Sequence, residues 1–351
     1  MKLRVIALSL ALLAVMSVPV ITSCERTPEK YTAYSFDYFD TVTTVVGYAH
    51  SQDEFDRIAG EALASLGEYH KLYTIYHRYE GMENLCTVNE LVRGVHRTVS
   101  VDRRIIELLI YAKDMYKKTD GRVNVAMGSV LSLWHDCRQI GMADPSAAKL
   151  PSMTSLSAAA EHTDIEDVLI DEEASTVTLL DPEMKLDVGA VAKGYAVEMV
   201  ARAMEEQGIT GYVLNVGGNV RTVGYKGDGQ PWTVGIDNPD GEGEEAYFAY
   251  LSLAGQSLVT SGSYQRYYVV DGKRYHHIID PDTLMPADGY LSVSVVCRSS
   301  ADGDALSTAL FCLSPEAGLA LIESLPDTEA LWVMSDGSRQ QSSGFGRYET
   351  E

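Results

Sequence analysis

At Gly208 the chain changes period: before it apolar residues recur at helical spacing, and after it they fall into short strand-like runs. Ser51, with Glu54 three residues on, forms a capping box ahead of Phe55, Ile58, Ala59, Ala62, Leu63 and Leu66, which share one helical face. A second helix is predicted from Asp102 through Ile105, Ile106, Leu109, Ala112 and Met115 to a stop at Gly121, and a third over 188–206, closed by Gly208. Strands are then predicted at 212–216, 220–225, 232–236 and 246–253. Asp271-Gly272 between the runs 267–270 and 275–279 is a hairpin signal, because both turn positions need positive φ. Helices at 302–313 and 315–325 lead to a last strand at 330–334. Helices, then strands, then helices, without regular βαβ alternation, predict an α+β fold. The expectation is a single mixed α/β catalytic domain over 35–345, helix-rich in its first half and rich in antiparallel strands in its second. With 351 residues, 46% of them hydrophobic, there is enough apolar surface for a large core.

The N-terminus speaks to compartment. Lys2 and Arg4 precede an apolar run at 5–20, too short and too near the terminus for an ordinary spanning helix, so 1–23 reads as an export signal. Ile21-Thr22-Ser23-Cys24 resembles the lipobox of bacterial lipoproteins. That resemblance implies lipid attachment at Cys24 and a protein anchored to a bacterial membrane, facing outside the cytoplasm. A plain secretory signal and an uncleaved anchor are the competing readings. The polar segment 24–34, with Pro28, reads as a tether. Without residues 1–23 the chain carries 26 basic and 50 acidic side chains, a net charge of −24. Such a body is a poor partner for nucleic acid, and an anionic ligand would need a local cation or a metal. The remaining cysteines, Cys86, Cys137, Cys297 and Cys312, show no CxxC spacing, which argues against structural zinc and leaves both disulfides and free thiols open.

Four segments carry residues suited to chemistry. Leu186-Asp187-Val188-Gly189-Ala190-Val191-Ala192-Lys193 places an acid and small residues before a helix start, where backbone N–H groups and Lys193 favour phosphate. A tight turn with a surface lysine fits the same pattern. Asn215-Val216-Gly217-Gly218-Asn219 lets backbone approach a ligand or simply turns, and it lacks the third glycine of a dinucleotide fingerprint. In Tyr275-His276-His277-Ile278, strand alternation sends the two histidines to opposite faces, so one can serve as a general base and the pair makes a poor chelate. Asp304 and Thr308, four apart in the predicted helix after Ser300, share a face and offer hard oxygens that suit Mg²⁺. A capping role for Asp302 or Asp304 is the structural alternative.

As an ordered set, LDVGAVAKGY, NVGGN, TSGSYQRYY, HHIIDP and DGDALSTALF resemble the ApbE family of FAD:protein FMN transferases, over about 39–334. The resemblance implies Mg²⁺ held by Asp304, Thr308 and the main-chain oxygen of Ala190. It implies FAD as substrate, contacted by Phe39, Tyr76, Arg122, Val123, Asn124, Asp187, Lys193 and Ile278, with His277 as base. The implied reaction moves the FMN half of FAD to a Thr or Ser hydroxyl of an acceptor flavoprotein subunit or exported FMN-binding domain, and releases AMP. FAD hydrolysis to FMN and AMP, and flavin binding without chemistry, are the rival readings. Two departures stand out: Gly121-Arg122-Val123-Asn124 replaces a common Gly-Ala-Phe-Asp, and Leu284 replaces a usual glycine, so the turn there is expected to be built differently.

Overall fold

A computed structural model describes residues 27–91 and 98–350. Residues 1–23, expected to be an export signal, and Cys24 lie outside the described residues. The chain opens with β1 (Glu29–Ser35), β2 (Thr43–Ala49), α1 (Gln52–Tyr73) and α2 (Leu85–Leu91). There follow β3 (Thr98–Ser100), α3 (Arg103–Lys118), α4 (Gly128–Ala143), α5 (Met153–Ala160), β4 (Val168–Asp171), β5 (Thr176–Leu179) and α6 (Ala192–Glu206). The second half holds β6 (Tyr212–Val216), β7 (Asn219–Val223), β8 (Trp232–Asp237), β9 (Tyr247–Leu253), β10 (Ser257–Gly262), β11 (Tyr267–Val270), β12 (Lys273–His276) and β13 (Tyr290–Cys297). It ends with α7 (Ser300–Phe311), α8 (Pro315–Glu323), β14 (Glu329–Met334) and β15 (Arg339–Gln341).

An eight-stranded antiparallel sheet in the order β1-β2-β6-β7-β10-β13-β14-β15 is the frame. One face is covered by α1, α6 and α7, whose Phe55, Leu66, Val197 and Leu310 join Leu214 and Val295 in the main core. The ribbon β8-β9 covers part of the other face, where Trp232, Ile236 and Leu251 meet Val213, Val296 and Phe345. Adjacent residues such as Val213 and Leu214 thus enter different cores, so these strands carry an apolar run in place of alternation. A third cluster joins α4 to β11-β12 through Trp134, Tyr268 and Ile279.

The α+β expectation holds, as does the Asp271-Gly272 hairpin, with φ of 49° and 79° at its turn. Other boundaries change. The expected tether is partly sheet: from Glu29 onward it pairs with β2, because Tyr31 stacks on Phe55 and ties the strand to α1. Residues 188–191 form a turn, and the third predicted helix begins only at Ala192. The folded unit also runs past 345, since Tyr348 packs in the second cluster and Thr350 N–H donates to the Tyr250 carbonyl at 2.9 Å. Leu284 itself takes φ 59°, a left-handed conformation that favours glycine, and its carbonyl accepts the Trp134 indole N–H at 2.9 Å.

Candidate functional site

A cleft of about 590 Å³ opens where the start of α6, the middle of α7, the β6-β7 turn, the end of β10 and the segment after β12 meet. Its size is that of a small-molecule site. All twelve cofactor, metal and base candidates read from the sequence line it, although they are drawn from six separate stretches of chain. What each of them does there differs.

Asp304 is turned inward from the second turn of α7 and is 3% exposed. Capping falls to Ser299, whose hydroxyl accepts the Asp302 N–H at 3.3 Å, and Asp302 is engaged by the Tyr111 hydroxyl at 3.0 Å. One oxygen of Asp304 accepts the Gly194 N–H at 2.8 Å. The other meets Lys193 Nζ at 3.2 Å and Asn219 Nδ2 at 3.3 Å. Three donors converge on this one nearly dry carboxylate and fix its orientation. This contact needs a glycine: a Cβ on Gly194 would lie 2.3 Å from the Ser300 carbonyl oxygen and 2.4 Å from Asp304 Cβ. Thr308 stands one turn further, its hydroxyl donating to the Asp304 carbonyl at 3.2 Å and keeping lone pairs for another partner. Ala190 lines the same cleft. The buried amide oxygen of Asn219 has no hydrogen-bond partner among the described residues, an acceptor left over beside the carboxylate. Among the described residues no three or more His, Cys, Asp or Glu side chains group as a chelate. A carboxylate, a hydroxyl and a carbonyl therefore fit a hard ion that takes few protein ligands, and fit a transition metal poorly.

The two histidines separate as alternation requires. His276 Nε2–H donates to the Ala287 carbonyl at 2.7 Å and its Nδ1 accepts the Ile278 N–H at 3.3 Å, so that ring is fully used in structure, edge-on to Phe311. His277 lines the cleft, and its Nδ1 lies 3.2 Å from the Arg266 carbonyl. A carbonyl only accepts, so Nδ1 carries the proton and Nε2 is the basic nitrogen. Burial, and then the positive charges of Arg266, Arg138 and Lys193, push this imidazole down to about 3, which keeps it neutral.

Asp187 is held by the Gly189 N–H at 2.9 Å, and burial raises its pKa against the opposing pull of that bond, His135, Arg138 and Arg266. Phe39 has φ 55°, and Tyr76 stacks on His135 with ring centres 4.8 Å apart. In the loop that departs from Gly-Ala-Phe-Asp, polar groups are spent on the protein. Arg122 pairs with Asp280 and Asp282, and Asn124 donates to the Thr163 carbonyl at 2.9 Å while accepting the Ala126 N–H at 2.9 Å. Val123 and Ile278 are both buried.

Sequence reasoning missed His70, His135, Arg138 and Arg266 in the lining. The i, i+3 spacing of His135 and Arg138 on α4 was an available signal, and Arg266 sits inside the quoted TSGSYQRYY block. With Lys193, the two arginines are the local cations that an anionic ligand would require in so acidic a body.

The model of the ApbE family matches residues 39–332. The chain belongs to the ApbE family. Its relatives include a FAD:protein FMN transferase of Klebsiella pneumoniae (strain 342), 34% identical over 279 residues, covering 78% of this chain and 82% of the relative. Another, from Treponema pallidum (strain Nichols), bears the same name and is 35% identical over 261 residues, 70% of each chain. Among solved structures, the ApbE protein of Thermotoga maritima MSB8 superposes with a TM-score of 0.79 at 27% identity, over 92% of this chain and all of that one. The apo flavinyl transferase ApbE of Pseudomonas stutzeri gives 0.73 at 27% identity, over 92% and 96%. The mixed sheet and helix architecture described above is thus that of ApbE-family structures.

Proposed function

We propose that this ApbE-family chain is a FAD:protein FMN transferase that uses Mg²⁺. The observation that carries this reading is the meeting, in one cleft, of a neutral histidine, the Asp304 carboxylate with the Thr308 hydroxyl, Ala190, and the cations Lys193, Arg138 and Arg266.

The acceptor's Thr or Ser oxygen forms a bond to the phosphorus on the riboflavin side of FAD. The bond from that phosphorus to the bridging oxygen breaks, and AMP departs with the oxygen. His277 Nε2 takes the hydroxyl proton, and its Nδ1–H bond to Arg266 holds the ring as it becomes charged. Lys193, Arg138 and Arg266 draw the pyrophosphate into the cleft and offset its charge. Asp304, Thr308 and the Ala190 carbonyl would hold Mg²⁺, which when bound neutralises the pyrophosphate oxygens and steadies the leaving phosphate.

The lipobox-like segment supports export and attachment at Cys24 to a bacterial membrane, outside the cytoplasm. An acceptor in a membrane-bound flavin electron-transfer complex, or an exported FMN-binding domain, suits that place, and the acidic charge argues against nucleic acid. The test is incubation of the purified protein with FAD and Mg²⁺, with and without a candidate acceptor. Gain by the acceptor of the mass of one FMN less one water, with AMP released in step, is expected. Rapid AMP release without an acceptor would instead mark a pyrophosphatase, and intact FAD a binding protein. Membrane release of a Cys24→Ala variant, with wild-type protein retained, tests the anchor.

A further inference from the structure

Phe39 and Asp40 both sit at positive φ, 55° and 51°, a conformation that side-chain-bearing residues adopt only when their surroundings impose it. Two side chains impose it. From below, the last turn of α1 presents His70, whose Nδ1 accepts the Phe39 N–H at 3.1 Å with the two rings edge-on at 5.5 Å. From across the cleft, one Arg266 amino group donates to the carbonyls of Phe39 at 3.2 Å and Asp40 at 3.3 Å. The amide N–H is a donor, so His70 has to be neutral with its proton on Nε2. The carbonyl of the same Arg266 accepts Nδ1–H of His277. The left-handed pair is therefore fastened on one side to the helix and on the other to the residue that orients the base.

We propose that His70 is a positioning residue for the flavin-nucleotide cleft. Its Nδ1 lone pair holds Phe39 and Asp40 in the left-handed conformation, so that the 39–41 loop stands ready-shaped to receive FAD and sits correctly against Arg266. The inference rests on the FAD reading above for its ligand, and on hydrogen bonding alone for the clasp.

Three proteins test it: wild type, His70→Leu, which removes the acceptor, and His70→Asn, whose amide oxygen can take the place of Nδ1. Amide hydrogen exchange at Phe39 in the FAD-free protein should be accelerated in His70→Leu and restored in His70→Asn, at unchanged global melting. The dissociation constant for FAD should rise about tenfold in His70→Leu, the effect of losing one hydrogen bond, and return toward wild type in His70→Asn. The turnover number at saturating FAD should move far less than the KM. Unchanged exchange at Phe39 in His70→Leu, or a His70→Asn protein no better than His70→Leu, overturns the clasp. If wild type binds no FAD, the functional reading fails, while the exchange comparison still decides whether His70 holds the loop.

Discussion

The Gly194 N–H donates to Asp304 Oδ2 at 2.8 Å, across a crossing of α6 and α7 so close that no side chain fits between them. Helix α6 thereby supplies both the missing Cβ and a hydrogen bond that aim the carboxylate. Gly194→Ala should cost about 1–3 kcal/mol through overpacking of this crossing. Because the clash is with Asp304 itself, it should also weaken Mg²⁺ dependence of FAD turnover. A urea titration and a Mg²⁺ titration check the two effects, and a wild-type Mg²⁺ response would remove Gly194 from the site.

Asp304→Ala is expected to abolish turnover by loosening the metal, while removal of Mg²⁺ by a chelator and its return should switch wild-type activity off and on. Undiminished activity of the variant at limiting Mg²⁺ would sink the metal assignment. Fluorescence binding of FAD, read in parallel, separates lost chemistry from lost binding.

His277→Ala should slow transfer by roughly 10²–10⁴-fold, the usual contribution of a general base, with FAD still bound. The wild-type imidazole is pushed from 6.5 down to about 3, so the basic form persists across the physiological range and any loss of rate between pH 8 and 5 belongs to other groups. The same shift acts on stability. An unfolded chain protonates this ring below about 6.5 and the folded one only near 3, so its contribution is intact above 6.5 and declines as pH falls between those values. Following the His277 ring protons by NMR tests both statements, and titration near 6.5 would contradict them.

Glu198, 2% exposed, bonds Arg221 at 3.1 Å, Arg202 at 2.8 Å and the Ser300 N–H at 2.9 Å, while Arg221 also reaches Glu205 at 2.9 Å. This network pins the start of α7 to α6 and β7. Glu198→Leu should destabilise the protein by about 3–5 kcal/mol, since it breaks a buried ion pair and leaves Arg221 only the half-exposed carboxylate of Glu205. Equilibrium unfolding provides the measurement, and a loss under about 1 kcal/mol, as for a surface pair, would show the network to be dispensable.

Much of the architecture could be read locally. The capping box before α1 has the expected Ser51 acceptor at 3.2 Å from Glu54 N, and the strand at 212–216 begins and ends where its residues predicted. The central strands β10 and β13 escaped notice because both their faces are buried: the first reads Ser257 to Gly262 and the second Tyr290 to Cys297, without the alternation that marks a half-exposed strand. Helix α4 escaped although its buried Val130, Trp134 and Cys137 fall at helical spacing; that stripe serves a separate cluster with β11-β12.

By itself the sequence determined the period of the elements it marked, the excess of acid over base and the identity of the candidate oxygens and nitrogens. The donation that orients Asp304 was beyond it. So were the choice of Ser299 as the cap of α7, the tautomer of His277 and the clasp of His70 and Arg266 on Phe39 and Asp40. Gly194 and Asp304 are 110 residues apart, and Phe39 and Arg266 are 227 apart. Local propensity acts over a few residues, whereas these contacts exist only once the sheet has brought distant segments to one cleft, and there the unpaired donors and acceptors select their partners.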